Sequence, residues 1–393
     1  MSSVNSFETD MKRLRRKRKR KRTLKNLFLV FSVVIIAGVL YVTQDRWIGY
    51  LNGILDRTEP TEHFGEAALA QGKYPIDISK KTNTEIGTIQ NGWTLFADTA
   101  FYVYDHEGDV SFSVQASYSN PIIVSAQKRT LIYDLGGYNF MVCSNKKQVF
   151  TKKLSNQILL GAVGEDGSVA IVTSTDKYSS YLTVYDRNGS EIFHWADGNM
   201  ITAASINKTG TGCIVSSTYA AGGEYNSIVT ELDFSSIDVK FVTEPVKALT
   251  FALGYCRNNQ FWLLADDALY RFGADGGVNF SYEFDFDLVS YSFSDSVCAL
   301  IFESVGVNHT NISIFEADSN DVAELVLDDN INHIHVDAST VYFNTNDMLY
   351  AVSSKGEILT KALLDDKYRS FAVLNDSVYL LGYRNIQRID FIH

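Results

Sequence analysis

Two histidines, His333 and His335, stand two residues apart in a run of strand-forming residues. On a strand that spacing puts both imidazoles on one face. Such a pair can hold Zn²⁺ or Cu²⁺ once a third ligand approaches, and Asp328, Asp329 and Asp337 are the nearby acids. A structural metal site usually takes four ligands, so the pair alone is a weak metal signature. A second pattern is Glu283, Asp285 and Asp287, interleaved with Tyr282, Phe284 and Phe286. Read as one strand, it shows carboxylates on one face and aromatic rings on the other. The plain reading is a solvated outer strand whose like charges discourage edge pairing. The chemical alternative is a Ca²⁺ or cationic-partner site, although no EF-hand spacing accompanies it.

The remaining reactive residue types read as structural. Tyr104-Asp105 and Tyr185-Asp186 end apolar runs just before glycine-containing turns, where a carboxylate accepts backbone N–H bonds. Cys143, Cys213, Cys256 and Cys298 lie in or beside apolar runs, the setting of buried free thiols. A Cys213–Cys256 bridge stays open as an alternative. There is no Gly-x-Ser-x-Gly elbow, phosphate loop or Cys-x-x-Cys pair. The sequence therefore assigns no catalytic residue and no cofactor.

The elements that position these residues are short strands. From about Tyr74 onward, runs rich in Val, Ile, Tyr and Phe alternate with Gly, Asn, Asp and Ser turns. That pattern belongs to sandwiches, barrels and propellers. Internal repetition decides among them. A polar turn followed by an apolar strand recurs with its turn near residues 91, 128, 166, 209, 258, 295, 338 and 376, a mean step of about 41. A second unit, a hairpin with a glycine turn, interleaves with it, and Gly108, Gly189, Gly276 and Gly356 mark its clearest copies. Two hairpins in ~40–45 residues make one four-stranded propeller blade. An all-β, eight-bladed β-propeller is expected. Seven blades is the alternative, because Glu85–Ile89 is a short first strand. The last blade stops one strand early at His393, and the alternating segment YPIDIS at 74–79 is the expected supplier of its outer strand. Closure of that kind leaves no open radial edge.

Charge divides the chain. Of 35 Lys and Arg, eleven lie between Lys12 and Lys25, while Glu8 and Asp10 are the only acids before residue 44. Beyond residue 43 there are 24 basic and 44 acidic residues, a balance of −20. A body so acidic does not bind nucleic acid by counterion release. At 46% hydrophobic residues it is too apolar for a disordered chain. Residues 26–44 carry no charge, and as a helix they would reach roughly 28 Å, close to the thickness of a bilayer core. The stretch is longer than a signal-peptide core and lacks a small-residue cleavage site. It also lacks the polar face of a core helix. A transmembrane helix is expected, with the adjoining cations held inside. The same cations would attract anionic lipid at ~1 kcal/mol each. A nuclear-localisation tract is the alternative for them. Four regions follow: a basic cytoplasmic head (1–25), the span (26–44), a partly helical linker (45–73) and an extracytoplasmic propeller (74–393).

Tyr74–Ile78, the run Tyr133-Asp134-Leu135-Gly136-Gly137, Tyr178–Asp186 with Gly189, and His194-Trp195 carry a resemblance. In these residues the chain resembles an uncharacterised family of membrane-tethered, quinoprotein-like β-propeller proteins of Gram-positive (clostridial) bacteria. The resemblance implies an extracytoplasmic propeller of no known activity, so no functional residues carry over. The Trp-Asp marks of WD40 repeats, the double-Gly marks of kelch repeats and the tryptophan-docking repeat of quinoprotein dehydrogenases are missing. The expected function is a non-enzymatic binding or scaffold module in the cytoplasmic membrane, single-pass and facing outward. Its expected partners are the membrane itself, anionic lipid at Lys12–Lys25, and a protein or cell-wall ligand on the propeller. A propeller enzyme with its site in the central channel is the alternative.

Overall fold

The computed structural model describes residues 67–69, 73–303 and 309–391. The basic head and the span expected over 26–44 lie outside them. No helix among the described residues is long and apolar enough to cross a membrane.

Seven four-stranded antiparallel sheets follow one another from Glu85 to Leu363, and an eighth is completed by Ala67–Leu69 and Ile76–Asp77. The chain is an eight-bladed propeller. The second strand of each blade explains why the repeat is legible. Gly92–Ala97, Val169–Thr173, Phe261–Ala265 and Ser377–Gly382 are buried at every position, because neighbouring blades cover both faces. Fourth strands such as Val110–Gln115 and Val278–Glu283 alternate instead, since one face meets water. Six of the eight first turns hold left-handed backbone at or beside the marker, those near 128 and 295 being the exceptions. Asn91 (φ 60°), Gly167 (φ 95°), Gly210 (φ 69°) and Asn258 (φ 60°) turn between first and second strands. Gly108, Gly189, Gly276 and Gly356 do the same between third and fourth strands. A side chain at Gly189 would also meet the Phe150 ring at 2.7 Å, so that turn is closed to a Cβ on two grounds.

The core is a ring of eight apolar clusters, one at each blade interface. At the interface of blades 2 and 3, Leu131, Tyr133 and Phe140 pack on Ile158, Val169 and Ile171. Eight interfaces replace the seven-blade alternative. The short strand Glu85–Ile89 is a complete inner strand, paired along its length with Gly92–Phe96.

Closure departs from expectation in one respect. Blade 8 consists of Tyr368–Leu374, Ser377–Gly382 and Asn385–Phe391, and its outer strand comes in two pieces. Ile76–Asp77 pairs with Ile386 and Asn385, whereas Ala67–Leu69, in the stretch read as linker, pairs with Phe391 to Ile389. A seven-residue strand spans ~23 Å, more than the short YPIDIS segment covers before it turns inward. A clasp of side chains secures the joint. Arg388, 7% exposed, pairs with Asp390 at 2.7 Å and donates to the His106 carbonyl of blade 1 at 2.7 Å. Its guanidinium also donates to His106 Nε2, which leaves Nδ1 to carry the proton and donate to Tyr379 Oη at 2.7 Å. Trp93 stacks on Tyr104 and donates to Tyr74 Oη at 2.9 Å, so the incoming segment is held from both sides.

Candidate functional site

A propeller presents three places for chemistry: the inner strands and the two faces of turns. The eight inner strands are mostly small or apolar, as in Pro121–Ala126 and Ile158–Val163. Their charged side chains are Glu85, Asp287, Asp337 and Arg369, each at or next to a strand end. His333 and His335 lie on the inner strand of blade 7, His333–Asp337, and share one face. Both present an edge to the Phe371 ring of blade 8, with centroids at 5.0 and 6.4 Å. Burial pushes both imidazoles down to about 4, and in His335 the neighbouring His333 adds to it. They are neutral at pH 7. Among the described residues no group of three His, Cys, Asp or Glu side chains is placed to hold a metal ion. The two rings come together as expected, but pack as part of a wall.

The four thiols are free and buried. Cys256 and Cys298 share the cluster between blades 5 and 6, while Cys213 belongs to the one between blades 3 and 4. Burial pushes the Cys143 thiol up to about 12 and raises Cys213 and Cys298 as well. All three are poor nucleophiles. The Tyr-Asp carboxylates cap turns. Asp105 accepts from Asp109 N, and Asp186 accepts from Asn188 N and Ser190 N, all at 2.8–2.9 Å.

The acidic and aromatic run behaves differently from its sequence reading. It is not one strand. Val278–Glu283 is the outer strand of blade 5, Phe284–Phe286 runs back to the axis, and Asp287 begins the inner strand of blade 6. The alternation therefore breaks. Tyr282 and Phe284 turn inward against Phe315 and Phe302 of blade 6, at 4.9 and 5.1 Å. Asp285, Phe286 and Asp287 stay exposed. Opposite them lies the turn Asp266-Asp267 between the second and third strands of blade 5. Asp266 accepts the Leu249 N–H at 2.9 Å and so fixes this turn to the entry of the same blade. Phe251, Asp266, Asp267, Phe284, Phe286 and Leu288, with Asp285 and Asp287, line a cavity of about 600 Å³. Desolvation and the adjacent Asp266 hold the Asp267 carboxyl above the usual range, with Glu283 adding to it. Among the described residues none of these four aspartates is in an ion pair.

Sequence reasoning flagged Asp285 and Asp287 but missed Phe251, Asp266 and Asp267. Strand order would have found them. In an antiparallel blade, the turn between second and third strands lies on the same face as the link to the next blade. Aligning Asp266-Asp267 with Phe284–Phe286 on the repeat places both on that face.

The two faces of the propeller differ. Seven Tyr or Phe side chains are exposed among the described residues. Tyr138, Tyr178, Tyr225, Phe286 and Tyr383 lie in or beside links and second-to-third-strand turns, on the cavity's face. Phe251 lines the cavity, and Tyr291 beside it on the inner strand of blade 6 is 5.8 Å from Phe251. None lies in a turn of the opposite face. Tyr225 sits near the tip of a long hairpin in blade 4, Gly212–Ala221 with Glu224–Asp233, which projects on the aromatic face.

Comparison with known proteins bears on the fold. Sqt1 of Saccharomyces cerevisiae is similar at 12% identity and TM-score 0.59, over 81% of this chain and 98% of that one. BamB from Moraxella catarrhalis is similar at 12% identity and TM-score 0.54, over 84% and 99%. The quinohemoprotein alcohol dehydrogenase ADHIIG from Pseudomonas putida HK5 is similar at 8% identity and TM-score 0.54, over 83% and 76%. No curated protein matches the sequence. Residues 70–391 match a family of unknown function, DUF5711.

Proposed function

We propose, from the premise that the chain belongs to the family of unknown function DUF5711, that it is a non-enzymatic binding or scaffold propeller anchored in the cytoplasmic membrane and facing outward. One observation carries the binding role: exposed aromatic side chains collect on a single face of turns. Rigid aromatic rings supply contact area at little entropic cost and are enriched where proteins dock. The anchor rests on the uncharged stretch 26–44 beside the basic head. The body's balance of −20 favours cationic partners over anionic ones.

Photo-crosslinking from the full chain in its native membrane tests both parts. A benzophenone side chain replaces Tyr225 or Tyr383 on the aromatic face, or Ile237 on the other. Discrete crosslinks from the first two positions and none from Ile237 are expected. Equal yields from the two faces would refute the binding role. Release of the protein by carbonate washing would refute the anchor.

A further inference from the structure

The cavity between blades 5 and 6 combines two properties. Its walls are apolar and aromatic, from Phe251, Phe284, Phe286 and Leu288, and its rim carries four carboxylates that are in no ion pair among the described residues. Like charges gathered at one mouth repel; at Asp267, desolvation first and the adjacent Asp266 second hold the carboxyl above its usual range. Blade structure accounts for Asp266, which fixes its turn, but not for Asp285, Phe286 and Asp287, which are exposed and cover no core. A ligand that relieves the repulsion must be cationic. One that also fills the aromatic wall must carry its charge on an apolar or planar body. A guanidinium does both, because it forks onto carboxylates and stacks on ring faces. The volume, about 600 Å³, accommodates several side chains rather than one ion.

We infer that this groove is the docking site for an arginine-bearing segment of a partner protein, bound through Asp285, Asp287 and Phe286. The inference rests on the proposed binding role and deepens it. Charge complementarity selects the occupant: the groove is anionic within an anionic body, while the aromatic floor favours a guanidinium over a hydrated metal ion. Arginine side chains reach the carboxylates, and their stems cover Phe251 and Leu288.

The test uses the full chain in detergent micelles, with a fluorescein-labelled peptide of alternating Arg and Ala as the probe. Fluorescence anisotropy should show binding that weakens between about 0.05 and about 0.5 M salt. The glutamate counterpart of the peptide should not bind. Asp285→Asn, Phe286→Ala and Asp287→Asn, combined, should weaken binding at least about tenfold, the sum of two exposed ion pairs and one cation–π contact. A control removes the same two charges on the opposite face through Asp238→Asn and Glu357→Gln, and should leave binding unchanged. Equal weakening by both variants, or none by the first, would overturn the inference. The binding role is judged separately by the crosslinks from Tyr225 and Tyr383, which lie outside the groove. Crosslinks there together with a negative peptide result would eliminate the groove alone.

Discussion

The histidine pair of blade 7 should make the protein acid-sensitive in a defined window. An unfolded chain holds His333 and His335 near the ordinary value of 6.5, and the fold lowers both to about 4. Between those values the unfolded state binds protons that the native state refuses. Stability is therefore fully present above about pH 6.5, falls as pH drops, and stops falling below about pH 4. Each lowering of ~2.5 units corresponds to ~3.4 kcal/mol at most. Both rings keep partial contact with solvent, so ~1.5 kcal/mol each, or ~3 kcal/mol for the pair, is the reasonable scale. For a domain of this size ~1 kcal/mol moves Tm by roughly 2 °C, which gives a fall of ~6 °C between about pH 7 and about pH 4.5. Asp337 on the same face works in the opposite sense, because desolvation raises its carboxyl and protonation then favours the fold. The comparison must accordingly be between variants. Thermal unfolding followed by tryptophan fluorescence is the assay, with His333→Gln and His335→Gln combined. The double variant should lose ~6 °C of the acid-induced drop. An identical drop in variant and wild type would show that the pair does not titrate as this burial requires.

Two further outcomes follow from buried cations. Arg271, 6% exposed, donates to Glu316 O, Ser319 O and Asn320 Oδ1 of blade 6, and lies within 6 Å of the Trp262 and Phe280 rings. Arg271→Ala should cost ~2–4 kcal/mol in urea unfolding, and Arg271→Met should regain the packing share alone. Equal stability of the two variants would contradict a packing role. At the closure, Arg388→Ala leaves Asp390, whose side chain is 31% exposed, with the Ser377 hydroxyl in place of its cation, so a loss of ~2 kcal/mol is expected. Cleavage by trypsin at Lys80 or Lys81 should accelerate along with it. An unchanged cleavage rate would mean that the clasp does not hold the N-terminal segment.

The blades were legible because their physics is local. Second strands are buried on both faces and read as unbroken apolar runs, and turns that need positive φ select Asn or Gly at a fixed period. Ala338, at φ 49°, shows that the rule tolerates an exception where its neighbours agree. Closure was half legible. YPIDIS alternates and could be seen, whereas Ala67–Leu69 has no signature of its own and is a strand because Ile389–Phe391 lies beside it. The groove was least legible. Its two acidic stretches belong to different strands, and the alternation of the YEFDFD run suggested one strand where the chain in fact leaves the rim and returns to the axis.

The asymmetry of the faces is the observation that demands a cause outside the fold. Every blade contributes connections to both faces, two hairpin turns to one and, to the other, one hairpin turn and the link to the next blade. A propeller stabilised by its eight interfaces alone would scatter exposed rings over both. Exposing a ring forfeits roughly 1.5–3 kcal/mol relative to burying it, and no interface recovers that loss for Tyr138, Tyr178, Tyr225 or Tyr383. Rings held out on one face of turns are accounted for when another molecule covers them.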